Sequence, residues 1–107
     1  MTEAIVVLVT CGSRAEADAL SQMLLENRLA ACINRIDSIE SVFHWKGAID
    51  RGTEVLLLIK TQRERFADLA ALVRRHHSYE TPEIIALPII DGDPDYLTWL
   101  QKETQKP

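Results

Sequence analysis

The residues best suited to chemistry are gathered in one short stretch, His76-His77-Ser78-Tyr79-Glu80-Thr81-Pro82-Glu83. It carries two imidazoles, a phenol and two carboxylates. Loops on a rigid scaffold are where binding groups collect, and imidazole is a ligand for copper, zinc and nickel. The two histidines face a geometric obstacle. Consecutive residues on a helix do not face each other, and on a strand they point to opposite sides. They share an ion only if the helix breaks between them or another subunit adds ligands. The competing reading is a helix C-terminus, where the dipole favours imidazole. The pattern predicts weak surface capture of a divalent cation rather than a buried stoichiometric site.

The elements that must position this stretch follow from periodicity. Ala4 to Val9 is aliphatic and β-branched, the mark of a strand buried on both faces, and ends at Thr10-Cys11-Gly12. Ser13-Arg14-Ala15-Glu16 has capping-box spacing, and Ala17, Leu20, Met23 and Leu24 continue a helix to about Arg28 or Leu29. A second extended region opens at Ala30. Its residues Ile39, Ser41, Phe43 and Trp45 share one face, while Ile36 falls out of step and predicts a bulge. Lys46-Gly47 or Asp50-Arg51-Gly52 supplies the turn into a strand at Glu54 to Thr61. Thr61-Gln62-Arg63-Glu64 repeats the capping-box spacing before a helix carrying Phe66, Leu69, Leu72 and Val73. Ile84 to Ile90 is the fourth strand, with Pro88 implying an edge. Asp93-Pro94 starts a last short helix with Tyr96, Leu97, Trp99 and Leu100, and the polar tail Gln101 to Pro107 is expected to fray.

This order, β-α-β-β-α-β plus a terminal helix, is an α+β, ferredoxin-like pattern with both main helices on one face of an antiparallel sheet. It fills residues 1–107 as one domain. The hairpin is unusually long for so small a chain. Two strands read as apolar on both faces, yet helices cover only one face, so association with further copies of the chain is the simplest way to cover the other.

Composition narrows the function. Twelve Lys and Arg against 16 Asp and Glu give a net charge of −4, without the basic face a nucleic-acid partner needs. No apolar run reaches the roughly 20 residues of a membrane helix, and Met1-Thr2-Glu3 does not open a secretory signal. Two cysteines make no disulfide framework, so a reduced, cytoplasmic protein is expected. No nucleophile–base spacing, phosphate loop or dinucleotide fingerprint is present, and the chain is predicted not to be an enzyme.

Several segments resemble the CutA divalent-cation-tolerance proteins. They are Leu29-Ala30-Ala31-Cys32-Ile33-Asn34, Ser41-Val42-Phe43-His44-Trp45-Lys46-Gly47-Ala48-Ile49, Ile59-Lys60-Thr61, His77 through Ile85, and Tyr96-Leu97-Thr98-Trp99. They occur in the family's order and spacing, and the likeness spans essentially the whole chain. The resemblance implies a ferredoxin-like fold assembled as a tight homotrimer, with the hairpin reaching onto a neighbour. It also implies a role linked to copper and other divalent cations. Two positions depart from the family pattern. Ser78 stands where proline is usual. Bacterial members credited with copper binding use a first-strand cysteine and the paired histidines; the histidines fall on His76 and His77, but the cysteine position falls on Val9.

Cys11 is the candidate replacement, because residues 9 and 11 of an extended segment project to the same face. The metal set is then His76, His77 and Cys11. A small apolar residue closing the strand is the alternative for Cys11, and Cys32 reads as core packing. Lys60, Tyr79, Glu80 and Glu83 form a second constellation. It would be either a polar intersubunit pocket for an anion or metabolite, or an intersubunit salt bridge. Phe43, Trp45 and Trp99 are read as trimer-packing aromatics. Asp91-Gly92-Asp93 is too short for calcium. Two functions follow: copper or divalent-cation binding for tolerance, or a trimeric signalling or scaffold module binding a small molecule or partner protein.

Overall fold

A computed structural model describes residues 2–106; Met1, where the sequence opens, and Pro107, the end of the tail expected to fray, lie outside it. Strand β1 (Ala4–Cys11) is followed by α1 (Arg14–Glu26), β2 (Cys32–Trp45), β3 (Ala48–Gln62), α2 (Phe66–His76), β4 (Ile84–Pro88) and α3 (Pro94–Glu103). The strands form one antiparallel sheet in the order β2-β3-β1-β4. This is the ferredoxin-like arrangement with a long hairpin and a terminal helix.

Alternation along the two central strands builds the core. Val7, Val9 and Cys11 pair with Ile59, Leu57 and Val55, and all six are buried. They meet Ala17, Leu20 and Leu24 of α1 and Leu69, Leu72 and Val73 of α2. The intervening residues Val6, Leu8, Leu56 and Leu58 point the other way and are only half-buried. On β4, Ile85 and Leu87 of that face are each 50% exposed. Beside it, α3 anchors through buried Leu100 and a 2.9 Å bond from Gln62 Nε2 to Thr104 Oγ1. That contact orders part of the tail expected to fray.

Several boundaries differ from expectation for local reasons. Helix α1 stops at Glu26 because Arg28 takes a left-handed conformation (φ 54°). Arg28 N–H then bonds to Leu25 O and Leu29 N–H to Leu24 O, the paired bonds of a Schellman stop. The second capping box does not form. Thr61 and Gln62 stay in β3, paired with Ile5 and Ala4, and a 3-10 turn, Arg63–Arg65, leads into α2 without a side-chain cap. Ladder bonds to β1 outcompete a single cap. Strand β4 is an edge strand, as Pro88 requires, and ends there rather than at Ile90.

The β2–β3 hairpin runs 14 residues out and 15 back. Its bulge lies between Ile36 and Ile39, with Ser38 at φ 60°. Lys46 and Gly47, both at positive φ (50° and 81°), make the two-residue turn whose twist suits paired strands. Its reach stretches the molecule to 44 × 25 × 22 Å, with a radius of gyration of 14.4 Å against about 13 Å for a compact chain of this length. Val42, Phe43, Trp45 and Ile49 stand exposed along it.

Candidate metal centre

The end of β1 and the end of α2 meet. Helix α2 stops at His76, and His77 adopts an extended conformation (φ −80°, ψ 145°) that carries its ring away from the helix axis. Its side chain is wholly buried. His77 Nδ1 accepts the Tyr79 N–H at 3.0 Å, and Nε2 lies 2.7 Å from Thr10 O. A carbonyl needs a donor, so these two bonds assign a neutral imidazole with its proton on Nε2.

Glu16 reaches the same place from α1. Ser13 Oγ accepts the Glu16 N–H at 3.1 Å, which is half of the expected capping box. The carboxylate does not return to Ser13. Its Oε1 accepts the Gly12 N–H at 2.9 Å and its Oε2 the Ser78 N–H at 2.7 Å. Burial opposes the charge, but hydrogen bonds from Ser78 and the Gly12 amide hold its pKa below the usual carboxylate value.

Cys11 completes the cluster. Burial first, then the carboxylates of Glu16 and Glu54, push its thiol up to about 12. Cys11 Sγ, a Glu16 oxygen and a His77 nitrogen all lie within 4.8 Å of one another. Donors around one tetrahedral ion sit roughly 3.5 Å apart, so a contraction of about an ångström would bring the three onto a common ion. A thiol, an imidazole and a carboxylate are donor types that suit a transition-metal ion.

Tyr79 closes over this group. Its ring centroid is 4.7 Å from that of His77, and its hydroxyl donates to Glu54 Oε2 at 2.9 Å. Burial, reinforced by that bond, pushes the phenol up to about 12. A Cβ on Gly12 would lie 3.2 Å from the Tyr79 oxygen, so any larger residue there makes the ring give by a few tenths of an ångström.

The predicted residues divide accordingly. His77 and Cys11 come together, buried rather than on the surface, because the helix ends between the two histidines and turns His77 inward. His76 stays exposed beside Arg74 and Arg75 at the negative end of α2. Cys32 is half-buried rather than core, opposite Lys60 on the sheet face away from α1 and α2. Lys60 makes no ion pair among the described residues. Tyr79 is bonded to Glu54, six residues and roughly 20 Å along the same strand, so within one chain Lys60 and Tyr79 do not meet. Glu80 and Glu83 are exposed. Trp45 and Trp99 are also exposed, Trp45 with Lys46 Nζ 5.8 Å from its ring centre. Asp91 and Asp93 each bond a nearby amide, as a turn and a cap. Glu16, Gly12 and Glu54 escaped sequence reasoning. The sequence marked Glu16 only as a capping-box residue in the first turn of α1, five positions after Cys11.

Fold and cluster together define a class: a ferredoxin-like subunit with a protruding hairpin and a buried thiol–carboxylate–imidazole group at the end of its first strand. Residues 5–103 match the family described as CutA1 divalent ion tolerance protein, and the chain belongs to that family. It is 43% identical over 97 residues to protein CutA of Mus musculus, covering 91% of this chain but only 55% of the mouse protein. It is 41% identical over 99 residues to the divalent-cation tolerance protein CutA of Thermus thermophilus, covering 92% and 96% of the two chains. The structure of the periplasmic divalent cation tolerance protein CutA from Archaeoglobus fulgidus superposes with a TM-score of 0.93 at 37% identity, covering 95% of this chain and 99% of that one.

Proposed function

We propose that this protein serves divalent-cation tolerance by holding copper through Cys11 and His77, as a non-enzymatic homotrimer in the cytoplasm. The observation that carries the reading is the buried approach of Cys11, Glu16 and His77 to within 4.8 Å. Membership of a cation-tolerance family supports it. Copper(II) is favoured over the other divalent first-row metals by nitrogen and sulfur donors generally. Cys11 takes over from the position of Val9: both project to the core face of β1, but only residue 11 here is a thiol. Bound copper would supply a positive charge against which the thiolate and carboxylate are balanced. The protein's part is to fix the donors, exclude water and accept the loss of one thiol proton.

A thiol pushed up to about 12 is a poor nucleophile at neutral pH, and an ion held by it must displace the thiol proton. Trimerisation is supported by the half-exposed apolar face of β4 and by Val42, Phe43, Trp45 and Ile49 on the hairpin. Two free cysteines and no disulfide among the described residues favour a reducing compartment.

Copper titration of the wild type and of Cys11→Ser, His77→Ala and His76→Ala proteins tests the assignment. Affinity should fall for the first two variants and hold for the third. Equal affinity in all four proteins would remove it.

A further inference from the structure

The Glu16 and His77 atoms that would hold an ion at this centre are already engaged in hydrogen bonds, and two of those bonds hold the turn after α2. His77 Nδ1 accepts the Tyr79 amide, and Glu16 Oε2 accepts the Ser78 amide. The remaining Glu16 oxygen is occupied by Gly12 N–H, and the remaining His77 nitrogen by Thr10 O. The turn is held at one further point, the 2.9 Å bond from the Tyr79 hydroxyl to Glu54. Cys11 and the His77 side chain are wholly buried beneath it.

We propose that Glu16 is a third metal ligand, and that filling the Cys11–Glu16–His77 site releases the turn at Ser78 and Tyr79, so that cation occupancy is read out as a conformational change. The inference rests on the metal-binding function proposed above. The physical basis is competition for lone pairs. An imidazole nitrogen that accepts an amide proton cannot also ligate an ion, and a carboxylate oxygen drawn onto a cation loses much of its attraction for an N–H. Capture at Nδ1 and Oε2 therefore frees two adjacent amides, those of Ser78 and Tyr79. Contraction of the donors by about an ångström draws His77 from beneath the Tyr79 ring. The segment that moves is exposed from Ser78 to Thr81, where a partner protein could sense it.

Linkage is reciprocal. Whatever holds the turn shut weakens ion binding, so the Tyr79–Glu54 bond is a latch that sets the affinity. Ser78 stands where a proline would have no N–H to give, so Glu16 is tied to the turn here by a bond that a proline could not supply.

Cobalt(II) under anaerobic conditions is a suitable probe, because a thiolate–cobalt charge-transfer band reports Cys11. Affinity is measured for the wild type, Tyr79→Phe and Glu16→Gln, and amide exchange at Ser78 and Tyr79 with and without cobalt. Expected are an exchange rate at both amides raised about tenfold by cobalt, tighter binding by Tyr79→Phe of about fivefold, and weaker binding by Glu16→Gln of about tenfold. A thiolate band with unchanged exchange at Ser78 and Tyr79, and equal affinity for wild type and Tyr79→Phe, would overturn the coupling alone. Glu16→Gln binding as tightly as wild type would remove Glu16 from the ligand set. No thiolate band from any of the three proteins would overturn the metal-binding function and this inference together.

Discussion

Ser78 N–H donates a 2.7 Å hydrogen bond to Oε2 of Glu16, tying the turn after α2 to the first turn of α1 across 62 positions of sequence. With the Gly12 amide on Oε1, the carboxylate is the joint between two loops. Its pKa in the folded protein is lowered. A lowered folded value means that ionised Glu16 adds stability above the ordinary carboxylate pKa of about 4.3, and that this stability disappears as pH falls through the folded value. Glu16→Gln should therefore melt below wild type at pH 7, with the gap closing as pH is taken toward 3. Thermal melts at pH 7, 5 and 3 check this; a gap of constant size would show that charge has no part in it.

Gly12→Ala places a methyl 3.2 Å from the Tyr79 hydroxyl oxygen and 3.4 Å from a ring carbon. The ring must shift to make room, which strains its 2.9 Å bond to Glu54. The cost should be about 1 kcal/mol, and it should shrink when Tyr79→Ala is already present. A double-mutant cycle by urea unfolding measures the coupling, and strict additivity would place the strain elsewhere.

Thr61 Oγ1 is buried with no hydrogen-bond partner among the described residues. Thr61→Val keeps the branched shape that β3 favours and removes an unpaired hydroxyl. A gain of about 1 kcal/mol is expected, read as a rise in Tm. A loss would mean that the hydroxyl is satisfied in solution.

Assembly is testable directly. Sedimentation at micromolar concentration should report three times the 12.1 kDa chain mass. Trp45→Ala or Trp99→Ala should each weaken the assembly by about 2 kcal/mol if these exposed rings fill a neighbour's surface. A stable species of one chain mass for the wild type would refute the trimer.

Much of the fold was legible before any coordinates. Val7 and Val9 announced a strand by their type, Leu20 and Leu24 a helix by their spacing, and Asp93-Pro94 a helix start by its capping chemistry. The misfit between Ile36 and Ile39 marked the bulge. Each of these signals depends on residues a few positions apart. Thr61 misled because its capping pattern is equally local, while the competing pairing with Ile5 is not.

The candidate centre was half legible. Family likeness pointed to His76 and His77 and the shared face of residues 9 and 11 to Cys11, yet nothing near the two histidines in sequence said which of them would turn inward. Residue types, periodicity and capping determined the elements, their order and the donor groups available. Tertiary structure alone decided which donors meet. Where α2 stops relative to β1 buries one histidine and leaves its neighbour in solvent. Packing of α1 against the same strand end turns Glu16 from a helix cap into part of the cluster. Contacts across 62 positions depend on how helices settle on a sheet, and no short window of sequence carries that information.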